Sequence, residues 1–276
     1  MNTQHYPTIT NWDDAYENGA HIGNGSSFPP LWNQQAADFR QQMGERVELD
    51  IPYGQKPRQK LDLFRPEGEA KGLFVFIHGG YWKAFDKSTW SHLAQGAIKQ
   101  GWAVAMPSYT LAPEARIAQI TDEVGAAITH AASLVDGPIH LAGHSAGGHL
   151  VTRMLSANGP LASAASKPIQ KRIKKVVSIS GVHDLRPLLN TSMNDVLQLD
   201  EAEAISESVV LQQLIHKPEL VCLVGESERP EFIRQSVLLA SIWSGLGIDT
   251  RLTIAEGKHH FDVIEALITS DVELFL

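Results

Sequence analysis

The sequence predicts an α/β protein built on a mostly parallel sheet, and three observations carry that expectation. From about residue 46 onward, short Val/Ile/Leu/Phe runs alternate with longer amphipathic stretches. Two of the runs, Phe74-Val-Phe-Ile77 and Val176-Val-Ser-Ile179, are nearly continuous in apolar character, as strands covered on both faces must be. A third run, Pro138 to Ala142, passes directly into Gly143-His-Ser145-Ala-Gly147 and then into a helix-forming stretch.

Eight strands are read at about 46–51, 59–65, 71–77, 102–107, 138–143, 174–180, 220–225 and 249–255. Only Pro52-Tyr53-Gly54 and a short polar segment separate the first two. That is too little for a crossover helix, so they should pair antiparallel. Helices fill the later gaps. One is expected near 31–43 and one over 88–99, ending at Gly101, where a positive φ can close the last turn. Ile117, Ile120, Val124, Ala127 and Ile128 recur at helical spacing and place another at 115–134. Further helices should begin after Ser145, at Pro230 and after His260. The chain reads as one domain over 1–276, with residues 1–45 and the irregular stretches 157–172 and 186–216 expected to form a small cap over the carboxyl ends of the strands.

Composition narrows the function. The 276 residues include 23 basic and 31 acidic side chains, giving a net charge of −8. An acidic chain without a basic run is poorly suited to nucleic acid or anionic membranes. Its longest apolar runs are strand-length, too short to span a bilayer. A lone cysteine, Cys222, excludes an internal disulfide. With a polar beginning that lacks a secretion signal, the expected setting is cytoplasmic. Twelve histidines are present, but His140, His144 and His149 do not follow a metal-binding helical spacing, so neither a metal nor a cofactor is expected.

The chemistry is concentrated in three places. In Gly-His-Ser-Ala-Gly at 143–147, the glycines allow a strand-to-helix turn too tight for side chains, which exposes the Ser145 hydroxyl above the sheet. Ser145 is thus the candidate nucleophile. Upstream, the strand at 71–77 ends in His78-Gly79-Gly80-Tyr81-Trp82. Glycines let such a loop aim backbone amides at a developing oxyanion, and the amides of Gly80 and Tyr81 are assigned to that hole, with Ala146 as third donor. His78 is read as fixing the loop, and Trp82 and His144 are placed beside a substrate pocket. After the last strand come His259 and His260, two candidates for the general base. The acid that orients the base should follow the preceding strand. No aspartate lies there, so the choice falls among Glu226, Glu228 and Glu231, with Glu228 favoured, while Asp184 after the strand before is the rival.

With these residues in place, the chain from about 73 to 265 resembles the α/β-hydrolase fold, and within it the kynurenine formamidase (arylformamidase) branch of the hormone-sensitive-lipase-like esterases. His78-Gly-Gly-Tyr-Trp82 matches that family's His-Gly-Gly-x-Trp element. Ser180-Gly-Val-x-Asp-Leu, Leu197-Gln-Leu, Pro230-Glu-Phe-x-Arg-Gln-Ser236 and His260-Phe-x-x-x-Glu265 resemble its other blocks in order and spacing. The resemblance implies a catalytic aspartate two residues before the Pro-Glu-Phe block, the place Glu228 holds here, and a histidine directly before the phenylalanine, which selects His260. It implies an acyl-enzyme mechanism on a small ester or an N-formyl aryl amide. A carboxylesterase or amidase on another short-acyl substrate is the alternative, and a non-catalytic binding protein on the same scaffold a remoter one. Apart from the small-molecule ester or amide, a homodimer is the one further partner left open.

Overall fold

In the computed structural model, which describes residues 8–269 and Leu276, eight strands form one sheet in the order β1-β2-β4-β3-β5-β6-β7-β8. They are β1 (Val47–Pro52), β2 (Lys60–Phe64), β3 (Leu73–Ile77), β4 (Ala103–Pro107), β5 (Ile139–His144), β6 (Ile173–Ile179), β7 (Glu219–Gly225) and β8 (Thr250–Ala255). All eight predicted strands are present, and β1 and β2 pair antiparallel as their short connection requires. β2 also runs antiparallel to β4, and every pairing from β4 to β8 is parallel.

Nine α-helices accompany the strands among the described residues: α1 (Trp12–Tyr16), α2 (Phe28–Met43), α3 (Gln95–Lys99), α4 (Ile117–Leu134), α5 (Ala146–Arg153), α6 (Lys167–Arg172), α7 (Asn194–Leu197), α8 (Glu201–Glu207) and α9 (Pro230–Gly245). The pleat of β3 shows how the layers form. Leu73, Val75 and Ile77 enter one buried cluster with side chains from α4, α5 and α9, while Phe74 and Phe76 enter another with Trp32 and Phe39 of α2. The sheet is therefore covered on both faces, which is why its central strands lack alternation.

Three expectations are corrected. The helix read over 88–99 is broken into 3₁₀ turns at Lys87–Thr89 and Ser91–Ala94 before α3. Asp86 caps the first turn, and Trp90, buried against Trp32 with ring centroids 4.7 Å apart, sets the break. After His260 there is a 3₁₀ turn, Val263–Leu267, and residues 270–275 lie outside the described residues. The stretch 157–172 sits at the amino end of the sheet rather than over the carboxyl ends. There Arg172 donates to the carbonyls of Ala132 and Gly137. No described helix is long and apolar enough to cross a membrane.

The strand order decides which loops meet. β3 and β5 are central neighbours, in register from Leu73↔Ile139 to Ile77↔Gly143, so the loop after β3 lies beside the turn after β5. Outward from them, β6, β7 and β8 deliver their own carboxyl-end loops in sequence order.

Candidate active site

The turn between β5 and α5 is as tight as its glycines suggest. A Cβ on Gly143 would stand 2.1 Å from the Gly147 carbonyl oxygen, and one on Gly147 would stand 2.0 Å from that of Ile77. No side chain fits at either place. Ser145 between them adopts φ 54° and ψ −118°, a conformation L-residues rarely hold. Its amide is tied down to the Ile179 carbonyl at 2.8 Å, and it stands at the amino end of α5.

The loop after β3 is strained as well. Gly80, Tyr81 and Trp82 have φ of 108°, 49° and 55°. His78 is buried, donates from Nδ1 to the Gly79 carbonyl at 2.7 Å and stacks on Tyr109 at 4.4 Å. Burial lowers its pKa to about 4, so the ring is neutral and serves the loop as a hydrogen-bond donor. Among the described residues, the amides of Gly80, Tyr81 and Ala146 donate to no acceptor in the protein. They are thus free to meet a ligand oxygen.

Successive left-handed residues turn Tyr81 and Trp82 to opposite sides. Tyr81 lines the cavity above Ser145, whereas Trp82 is fully buried in the core, its ring 5.3 Å from that of His149. The expectation that Trp82 borders the substrate pocket is corrected accordingly. His144 does line the cavity. Its Nε2 donates to the His260 carbonyl at 2.9 Å, and the two rings lie 4.6 Å apart. Burial, and secondarily the nearby His260, push its pKa well below the usual histidine value, which leaves it neutral.

Of the candidate bases and acids, one pair is in contact. His260 places Nδ1 2.7 Å from Oε2 of Glu228, and both side chains are almost wholly buried. A carboxylate only accepts, so Nδ1 carries a proton, and in the neutral tautomer this leaves Nε2 with its lone pair. His259 instead uses Nδ1 to accept from the Phe261 and Asp262 amides, and its ring rests on Phe28. The other carboxylates are engaged elsewhere. Glu226 accepts from the Gly257 amide, Glu231 from Arg234 and the Tyr16 hydroxyl, and Asp184 from Arg186.

Ser145 and His260 border one cavity of about 300 Å³. Among the described residues, no hydrogen bond within 3.5 Å joins Ser145 Oγ to His260 Nε2. The walls are largely aromatic: Trp32, Tyr81, Phe85, Trp90 and Phe261. Glu17, Asn18, Gly19, Gly80, Lys83 and Ala84 complete its lining. From the segment before β1, Glu17, Asn18, Gly19 and Trp32 line this cavity, whereas the stretches 157–172 and 186–216 contribute nothing to it.

Sequence reading missed most of these walls. Trp32 and Phe85 carried no motif, and only their packing with Trp90 and Phe261 assembles them. It also missed how the N-terminal segment is fastened. Tyr81 donates its hydroxyl to the Tyr16 carbonyl, Tyr16 donates to Glu231 at 2.7 Å, and Arg229 binds the Asp14 carboxylate.

Comparison with known proteins finds relatives of the whole fold. A profile of the family described as BD-FAE matches residues 61–236. Kynurenine formamidase of Danio rerio is 28% identical over 230 residues, 80% of this chain and 76% of that protein. The kynurenine formamidase of Drosophila melanogaster is 29% identical over 269 residues, covering 90% and 86%. A crystal structure of a provisionally named thioesterase from Silicibacter sp. superposes with a TM-score of 0.90 at 50% identity, covering 95% and 97%. Esterase B of Lactobacillus rhamnosis superposes at 0.66 and 20% identity over 90% and 92%, a likeness of fold.

Proposed function

The chain belongs to the BD-FAE family and is a hydrolase of the α/β-hydrolase fold, and on that premise we propose that it is a serine hydrolase cleaving N-formyl aryl amides through an acyl-enzyme. The observation that carries the proposal is the buried Glu228–His260 pair bordering the same cavity as a left-handed Ser145.

In this reading His260 Nε2 takes the Ser145 proton as Oγ bonds to the carbonyl carbon. The carbonyl oxygen becomes an anion held by the amides of Gly80, Tyr81 and Ala146. Glu228 keeps Nδ1 protonated and stabilises the imidazolium that forms. The proton then passes from Nε2 to the leaving nitrogen, and the amine departs. Water gives its proton to the same Nε2, attacks the acyl carbon, and Ser145 leaves with a proton as formate is released. His144 is neutral and holds the His260 carbonyl, so it orients the base without competing for the proton.

The substrate class follows from the walls. An aromatic cavity of about 300 Å³ suits an aryl leaving group and leaves little room for a long acyl chain. The kynurenine formamidase relatives point the same way. A second reading, a short-acyl ester or thioester as substrate, is favoured by the structure at 50% identity. Turnover of N-formyl-kynurenine against phenyl acetate and an acetyl thioester separates them. The formamidase reading expects the highest kcat/KM for the formyl amide, and a preference for either acetyl substrate would replace it with the second.

A further inference from the structure

Glu228 is held by more than His260. Its Oε1 accepts from the Gly225 amide at 2.7 Å and also from the hydroxyl of Ser180. The two oxygens are thereby divided: Oε1 is bound by two donors, and Oε2 is left for His260 Nδ1 at 2.7 Å. A buried carboxylate with a free torsion at its end could present either oxygen in many orientations, and two donors on one oxygen remove that freedom.

Ser180 is an unusual residue for this place. It directly follows β6 with φ 51°, fully buried, its amide donating to the Leu223 carbonyl at 2.7 Å. Left-handed backbone at a non-glycine residue is unfavourable, and glycine would serve the turn better. What glycine would lack is the hydroxyl. The neighbouring geometry fits the extra methylene of a glutamate: Glu228 folds back so that its Cγ passes 3.2 Å from where a Gly225 Cβ would stand. Gly225 supplies both the space and one donor, and Ser180 supplies the other.

We infer that Ser180 is a positioning residue for the acid: its hydroxyl fixes the Glu228 carboxylate so that Oε2 orients His260. The inference rests on Glu228 being the acid of the triad. Ser180 does not line the cavity, and its hydroxyl acts through Glu228.

The test is a double-mutant cycle with Glu228→Ala, read as kcat and KM on the preferred substrate. Ser180→Ala and Ser180→Gly both lack the hydroxyl but differ in backbone cost, and glycine suits the left-handed turn, so folding is not at issue for that variant. Both should lower kcat about tenfold at unchanged KM, the scale of one hydrogen bond to a charged group. In the Glu228→Ala background the same changes should cost less than about twofold, because the partner is gone. A loss that persists undiminished in that background, or one seen with alanine but not glycine, would overturn the inference by marking a packing or backbone role. Full activity of the Ser180 variants beside an inactive Glu228→Ala would overturn it while leaving the acid in place. Full activity of Glu228→Ala would overturn both.

Discussion

The two halves of the site are held by different means. Around Ser145 and the loop after β3, position is set by backbone: left-handed residues at 80, 81, 82 and 145, and glycines packed against neighbouring chain. Around His260 and Glu228, position is set by side-chain hydrogen bonds between loops that follow different strands. The comparison teaches where each half can fail. A backbone-built half breaks when a Cβ is added, and a side-chain-built half breaks when a polar atom is removed.

The largest effect is expected in the side-chain half. His260→Ala should lower kcat by roughly 10⁴ or more with the fold intact, since the nucleophile loses its base. Retained activity with an unchanged pH profile would contradict the assignment. Next comes the backbone half. Alanine at Gly80 would bring its Cβ 2.5 Å from the Ala84 carbonyl oxygen and 2.7 Å from Phe85, in addition to facing φ 108°. The loop must move, and displacing one oxyanion donor costs about 3 kcal/mol, so Gly80→Ala should lose roughly a hundredfold in kcat. A variant as active as the parent would show that the Gly80 amide takes no part.

Acid should expose a cost common to both halves. His78, His149 and His183 are buried with pKa values lowered to about 4, about 4 and about 3, and His144 is lowered well below its usual value, all chiefly by burial. The unfolded chain takes up these protons near pH 6.5, while the folded chain refuses them until much lower. Their contribution to stability is therefore complete above about pH 6.5 and is lost as pH falls toward 4. Urea unfolding at pH 7 and pH 5 checks the sign, and equal stability at the two values would contradict it. The smallest effect belongs to the N-terminal segment. Tyr81→Phe removes the bond to the Tyr16 carbonyl and should cost about 1 kcal/mol of stability, read by thermal unfolding.

The same contrast explains what could be read from the sequence. The sheet was legible because its strands are short β-branched and aromatic runs, and the turn between β5 and α5 because Gly143 and Gly147 record a close backbone approach in the sequence itself. Glu228 was harder: any of several carboxylates near the end of β7 could have served, and the choice depends on which one His260 meets. Ser180 was invisible as a partner, since it lies 48 positions from Glu228. Trp82 was misplaced because two left-handed residues in succession, which no propensity rule anticipates at Tyr-Trp, turn it into the core. The aromatic walls come from four separate segments that only tertiary packing brings together.

The central claim is that Ser145, activated by His260, forms the acyl-enzyme. Intact-mass analysis after a stoichiometric fluorophosphonate, followed by peptide mapping, tests it most directly. One adduct per chain is expected, on the peptide carrying Ser145, absent from Ser145→Ala and strongly slowed in His260→Ala. No adduct on the parent protein, or an adduct on another residue, would contradict the account.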